Sequence, residues 1–506
     1  MVYRATCAAA LCGLAPILAA GAYSAQPAPK VVLNSDEYRD KVYGCWLGKN
    51  IGGTLGAPFE GQRQVQSVSF YTNVKGEPAP NDDLDLQLLW LKALEERGTN
   101  IDARTLGEYW LSYVPVDWNE YGVGKANMRL GLAPPLSGQY NNAHWRDSNG
   151  AWIRSEIWAC LAPGCPDIAA KYAYEDACVD HGGGEGVYAE IFTATVESAA
   201  FVETNRDKLL AIGLARIPQD CGTAKAVRAA MEAHRQGKDW QAAREAVIEA
   251  TKGQVDDGWF MAPRNVAFVV IGWLYGNGDF GNSICTAVNC GDDTDCTGAT
   301  LGSILGIIAG YKAIPAKWKE PIGDKINTVA IANFQPPATL EELTDRTVAM
   351  AQRVLQDHAA PVRIASGAPT DLSRVSELGL EDSAGVKELW TRSPYLLRYD
   401  FVHTTAAFDY VTDPDVQPGT PHLLKLTLTN HTPAELKLSI GWHVPSGWSV
   451  EPNAQQAIAL AAGASQTLQT SVTPASGAHG ANRCLVTVTA DDRPTVGAIP
   501  FTLICK

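Results

Sequence analysis

Two short acidic runs carry the chemistry open to this chain. Asn81-Asp82-Asp83-Leu84-Asp85 begins one amphipathic segment, and Asp292-Asp293-Thr294-Asp295-Cys296 begins another directly after Gly291. A third acidic position, Glu60, stands in Pro58-Phe59-Glu60-Gly61. Taken singly, carboxylates at a helix start cap free N–H groups and complement the helix dipole. Brought into one site, they would repel strongly unless a cation lay between them. Hard oxygen donors of this kind suit Mg²⁺, Mn²⁺ or Ca²⁺. Spacing alone does not prove that the runs meet. Cys285, Cys290 and Cys296 raise the question of zinc, but their spacing fits no standard zinc site.

The elements that would have to bring the runs together are marked by glycine. Gly44, Gly48, Gly52 and Gly56 recur every four residues ahead of Glu60, and Gly298, Gly302, Gly306 and Gly310 recur after Asp295. Each glycine in a helix interior costs up to about 1 kcal/mol relative to alanine, so close helix-to-helix approach must offset it. The polar Lys49, Asn50 and Thr54 interrupt the first stripe and argue for a soluble core rather than a membrane contact. From about Glu37 to Asp357 apolar positions recur at three and four, as in 84–94, 168–177, 187–202 and 340–355, and predict helices, with Gly98 a C-cap. His181 precedes Gly182-Gly183-Gly184, a run that lets backbone approach a ligand; a satisfied core histidine is the other reading. Trp110, Trp118, Trp145, Trp152 and Trp158 suit stacking on a sugar or base, although most belong in a core.

In order along the chain, Gly44–Gly61, the Asn-Asp-Asp run, and Asp-Thr-Asp followed by Gly298-Ala299 resemble the hallmarks of the ADP-ribosylglycohydrolase family. Ser148-Asn149-Gly150-Ala151-Trp152-Ile153-Arg154, Pro163-Gly164, His181 with Gly186-Val187-Tyr188, and Ile314-Pro315 with Trp318 extend the match, over roughly 38–355. The resemblance implies an all-α bundle with a two-metal site, usually Mg²⁺. It puts Asn81, Asp82, Asp83, Asp293, Asp295 and Cys296 in the places of the metal ligands, and Glu60 in that of a glutamate implicated in catalysis. Asn149, Gly150 and Arg154 match a loop lining the substrate cleft, with His181 and Tyr188 as further substrate contacts. Asn81 is a mild departure. Cys296 replaces a hydroxyl with sulfur, a poor Mg²⁺ ligand, so one ion would be lost, bind weakly or be of another kind.

The rest of the chain frames this reading. Its 506 residues, 46% hydrophobic and 19% charged, predict two globular domains behind a leader. A net charge of −14, from 41 basic and 55 acidic residues, argues against nucleic-acid binding. Arg4 followed by the Ala/Leu-rich run to Ala22 reads as a signal peptide over 1–25, and no other run is long enough to span a bilayer. Cys484 with Cys505, then Cys160 with Cys165, are the candidate disulfides. Beyond a linker at 358–400, alternating runs at 423–429, 436–440 and 485–489 predict an antiparallel β-sandwich over 401–506. That segment resembles the immunoglobulin-like domains appended to secreted glycosidases. The expected fold is therefore α + β, an all-α bundle at 38–357 followed by the sandwich. The expected protein is secreted or periplasmic. It is a hydrolase holding one or two divalent ions, most simply Mg²⁺, with Asp82, Asp83 or Glu60 acting on the glycosidic bond of a furanose-like sugar in a glycan or small glycoside. Hydrolysis of an ADP-ribosyl bond is the second reading, and a binding protein that lost catalysis through Cys296 the third. The sequence leaves the oligomeric state open.

Overall fold

The two glycine stripes pack on each other. In the computed structural model, which describes residues 28–253, 257–490, 493 and 496–506, the strand β1 (Val31–Asn34) leads into helix α1 (Ser35–Gly56). Asn34 caps it by accepting from the Asp36 and Glu37 N–H groups. The acidic runs open α2 (Asp82–Arg97) and, after α3 (Ala262–Tyr275), α4 (Thr294–Ala309). A methyl group added at Gly44, Gly48, Gly52 or Gly56 would overlap backbone of Gly306, Gly302, Gly298 or Thr294 in turn. The two helices thus run antiparallel at backbone contact along their whole shared length, and the gain in contact offsets the helix cost of the glycines. Helix α5 (Leu340–Asp357) covers α1 and leads to β2 (Val362–Ala365), which pairs parallel with β1. Trp110, Trp152 and Trp158 join Trp46, Trp90 and Trp318 in the buried core, whereas Trp118 is 44% exposed. No helix among the described residues is long and apolar enough to cross a membrane. The expected leader at 1–25, with Cys7 and Cys12, lies outside the described residues.

The C-terminal part is a two-sheet sandwich. Strands β3 (Leu396–Asp400), β4 (Thr404–Asp409), β5 (Asp415–Val416), β6 (His422–Asn430), β7 (Leu436–His443), β8 (Ser449–Glu451), β9 (Gln455–Leu460), β10 (Ser465–Thr473), β11 (Gly480–Ala490) and β12 (Val496–Cys505) form it. The sheets have the orders β3-β4-β6-β10-β8 and β5-β12-β11-β7-β9. Period-two patterning places Leu424, Leu426 and Leu428 of β6 inward, as the alternation predicts. All pairings are antiparallel except that of the two-residue β5 with β12. The segment 358–400, read as a linker, holds β2, which pairs with β1 at the far end of the helical domain, and the edge strand β3, which forms a hairpin with β4. All ten described cysteines are free thiols, so the candidate disulfides are not formed. Strand register explains the first pair: Cys484 lies opposite Phe501, and Cys505 opposite Gly480.

The sandwich shares its core with the helical domain. Leu132, Leu136 and Tyr140 are buried in the sandwich cluster, Tyr140 donates to Asp415 at 2.7 Å, and Thr502 donates to the Gly131 carbonyl at 3.2 Å. The Arg104 guanidinium covers the Tyr399 ring at 4.0 Å. Ending the chain before Leu396 would expose those three side chains, at a cost on the order of 5 kcal/mol. Such a truncated protein is expected to aggregate or melt at least 10 °C lower by differential scanning fluorimetry. An unchanged melting temperature would show the two domains to be independent.

Candidate active site and metal centre

Antiparallel packing of α1 on α4 sets Gly56, at the end of one, against Thr294, at the start of the other. Glu60, just past α1, therefore meets Asp293 and Asp295. Backbone pairing fixes the meeting: the Gly61 N–H donates to the Asp292 carbonyl, and the Asp292 N–H to the Gln62 carbonyl, both at 3.0 Å. Helix α2 brings its N-terminus to the same place, with the Asn81 amide nitrogen 3.5 Å from Asp295 Oδ2. Asn81 caps α2 through Oδ1, which accepts from the Asp83 N–H at 2.8 Å. Asp293 also occupies a helix N-cap, yet its carboxylate makes no capping bond. Oδ2 accepts from Asn149 at 2.6 Å, and Oδ1 has no partner. Asn81 thus caps its helix, whereas the Asp293 carboxylate does not.

These residues line one cleft of about 620 Å³. Of the expected site residues, Glu60, Asn81, Asp82, Asn149, Gly150, Asp293, Asp295 and Cys296 face it. Asp83, Arg154 and His181 are wholly buried behind it. Arg154 binds Asp176 and Asp180, each at 2.8 Å, and donates to the Gly150 carbonyl, so it braces the 148–154 loop from beneath. His181 bonds Asp180 through Nδ1 at 2.8 Å and meets Ser148 Oγ through Nε2 at 3.3 Å. Tyr188, on the helix Glu185–Ala200, is half-buried and lies off the cleft wall. Asp85 accepts from the Val329 and Ala330 N–H groups at 2.6 Å, pinning a loop whose Val329 lines the cleft.

One cleft carboxylate has no signature in the sequence. Glu120 opens the helix Asn119–Leu130 as an ordinary first-turn acidic residue would. In the fold it lies beneath Gly150, where a side chain would overlap its Oε1. Its Oε2 is buried without a partner, and burial raises its carboxyl to about 7. Near that value a carboxyl both gives and takes protons at neutral pH. The glycine at 150 was the available signal, because only a residue without Cβ leaves room for this side chain.

The cleft carboxylates disturb one another. Asp295, and then burial, raise Glu60 to about 7. Burial first and Asp295 second push Asp82 up, against a 2.9 Å bond from the Tyr121 hydroxyl, and hold Asp293 well above the ordinary range. Glu60, Asp293 and Asp295 can place ligand oxygens within 4.8 Å of one another. Two of these residues keep a buried oxygen, Oδ1 in each aspartate, without a partner. A divalent cation fits this set, which satisfies those atoms and reverses the repulsion. The sign of the pH effect follows. Carboxyls raised in the folded state stabilise it below their unfolded values, and that stability is lost as pH rises through the folded values, near 7 for Glu60. The metal-free protein is expected to melt lower at pH 8 than at pH 5. Added Mn²⁺ should raise the melting temperature more at pH 8. Equal Mn²⁺ shifts at both values would remove the repulsive cluster from the account.

The model of the family described as ADP-ribosylglycohydrolase matches residues 34–357. The model described as NPCBM-associated, NEW3 domain of alpha-galactosidase matches residues 416–491. No curated protein matches the chain. Among solved structures, an "ADP-ribosylglycohydrolase-related protein complex" is 20% identical over 63% of this chain and 99% of that one, with a TM-score of 0.44. A structure of WR4, a C.elegans MSP family member, is 14% identical over 18% of this chain and 93% of that one, with a TM-score of 0.14.

Proposed function

Because the chain belongs to the ADP-ribosylglycohydrolase family, a family of hydrolases, we propose that it is an exported, metal-dependent glycosidase that cleaves a neutral, furanose-like glycoside. The observation that carries the substrate choice is the cleft lining. It offers Glu60, Asp82, Asp117, Glu120, Asp293 and Asp295, and among the described residues lining it there is no Lys, Arg or His. A diphosphate would bring its own negative charge to these carboxylates with no side-chain cation to meet it. A neutral sugar suffers no such repulsion, and its ring can lie against Trp118, Trp259 or Phe260. The α-galactosidase-associated model over the sandwich and the Ala/Leu-rich leader support an extracytoplasmic glycan or glycoside.

When bound, a divalent ion held by Glu60, Asp293 and Asp295, with Asp82 beside them, supplies Lewis-acid polarisation and an anchor for vicinal hydroxyls. The remaining work falls to the chain. Asn149, fixed by the Trp152 indole N–H at 2.8 Å and itself bound to Asp293, presents the substrate loop. The Tyr121 hydroxyl, donating to Asp82 at 2.9 Å, fixes the direction of that carboxylate, which can then face positive charge developing at the anomeric carbon. Glu120, poised near neutrality, moves the proton at the leaving oxygen or the attacking water.

The test is a product assay with Mn²⁺ on a panel of neutral aryl furanosides and ADP-ribosylated arginine and serine peptides. We expect metal-dependent release of reducing sugar from a furanoside and at least a hundredfold lower rate on the ADP-ribosyl compounds. The reverse preference would establish the ADP-ribosyl reading instead. Tight sugar binding without turnover would leave a binding protein.

A further inference from the structure

We propose that the site holds a single divalent cation, at the Glu60–Asp293–Asp295 corner, and that the buried ammonium of Lys49 takes the place of a second one beside Asp83. The inference rests on the metal-dependent reading above and fixes its stoichiometry. Three groups among the described residues can converge on an ion near the cleft. Two share Asp295, which stands with Glu60 and Asp293 in one and with Asp83 and Cys296 in the other, while the third, Glu120 with Asp180 and His181, already has Asp180 paired with the Arg154 guanidinium and the His181 ring at 2.8 Å each. The two corners differ in chemistry. The first has three carboxylates, all lining the cleft, and, among the described residues, no cationic side chain within it. The second already contains a cation. Lys49, from the middle of the glycine helix α1, reaches down to place Nζ 3.7 Å from Asp83 Oδ2.

That ammonium is fixed in place. It donates to Glu156 Oε1 at 2.7 Å and to the Ile153 carbonyl at 2.6 Å. Glu156 is held in turn by the Gln87 amide at 2.8 Å and by the Thr300 hydroxyl at 3.2 Å. Both Lys49 and Asp83 are cut off from water, so a divalent ion on Asp83 would meet a fixed ammonium whose charge only Glu156 offsets and which has nowhere to move. The fourth wall of this corner is the Cys296 thiol, which donates to Asp83 Oδ1 at 3.5 Å and is a soft donor besides. Asp83 thus has Oδ1 accepting from a thiol, while Oδ2 makes no hydrogen bond and faces the ammonium at 3.7 Å, an ion pair rather than an open ligand position. The lysine that interrupts the glycine stripe thereby acquires a purpose: it lies between two buried carboxylates, Glu156 at 2.7 Å and Asp83 at 3.7 Å, and offsets part of their charge where no metal is held.

Titration of the full chain with Mn²⁺, followed by calorimetry and by electron paramagnetic resonance, tests the proposal without reference to turnover. The native protein should bind one Mn²⁺ per chain, with the spectrum of an isolated ion and no exchange coupling. Asp83→Asn should bind one Mn²⁺ with less than threefold change in Kd, and Asp293→Asn should weaken binding tenfold or more. Circular dichroism and melting curves establish that each variant is folded, and the native stoichiometry decides alone if Asp83→Asn is not. Two coupled ions in the native protein, or a tenfold loss of affinity in folded Asp83→Asn, would overturn the single-ion proposal while leaving metal dependence intact. No bound Mn²⁺ at all would remove both.

Discussion

Asp295→Asn is expected to lose tight divalent-cation binding and to lower kcat/KM on the cleaved glycoside by about a thousandfold, or roughly 4 kcal/mol of transition-state stabilisation. Asp295 stands at the junction of the site. It lies against Asn81, raises the carboxyls of Glu60, Asp82 and Asp293, and keeps a buried Oδ1 without a partner. The amide retains the shape and one oxygen but removes the charge that draws a hard ion. Asp292→Asn is the control from the same run. Its carboxylate is paired with Arg264 at 3.2 Å and lies 3.7 Å from Arg63, and its φ of +61° is one that asparagine adopts readily. That variant should keep Mn²⁺ affinity within about threefold, since its carboxylate faces the arginines rather than the ion. Isothermal titration with Mn²⁺ and initial rates on one furanoside separate the two. Unchanged affinity in Asp295→Asn would reduce the second acidic run to a helix start.

What the sequence reveals of this site depends on whether the signal is local. The glycine period and the clustered aspartates are visible because each repeats within one helix, and the helix period converts them into faces. The α1–α4 pairing follows once both stripes are seen. Depth is not local. Arg154 and Asn149 belong to one loop, yet the turn after Asn149 sends one to the cleft and the other beneath it, into the carboxylates of Asp176 and Asp180. Glu120 carries no periodic signal, because its role comes from Gly150 lying over it. Lys49 reads only as a polar interruption until Glu156, more than a hundred positions later, is brought to its ammonium. The strand pairing of β1 with β2 is hidden for the same reason, since its partners lie at opposite ends of the helical domain.

The same dependence of site on scaffold makes the smallest side-chain change in α1 a severe one. Gly52→Ala is expected to destabilise the fold by about 3 kcal/mol, a drop of roughly 5 °C or more in melting temperature. An added Cβ at Gly52 meets the Gly298 carbonyl group and the Ala299 nitrogen, which are backbone and cannot rotate aside as a side chain would. Relief requires the two helices to separate. Separation is felt at their ends, where Gly56 meets Thr294 and where Glu60 is carried to Asp293 and Asp295. Any folded fraction of Gly52→Ala should therefore bind Mn²⁺ more weakly than the native protein, although residue 52 touches no ligand of the first corner. Gly477→Ala is the matched control, because nothing lies within 4 Å of the added methyl and its φ is not in the left-handed region. It should melt within about 1 °C of the native protein, as an unobstructed surface change does. If Gly52→Ala melted with its control and kept native Mn²⁺ affinity, the backbone contact between the glycine stripes would not be what sets Glu60 beside Asp293 and Asp295.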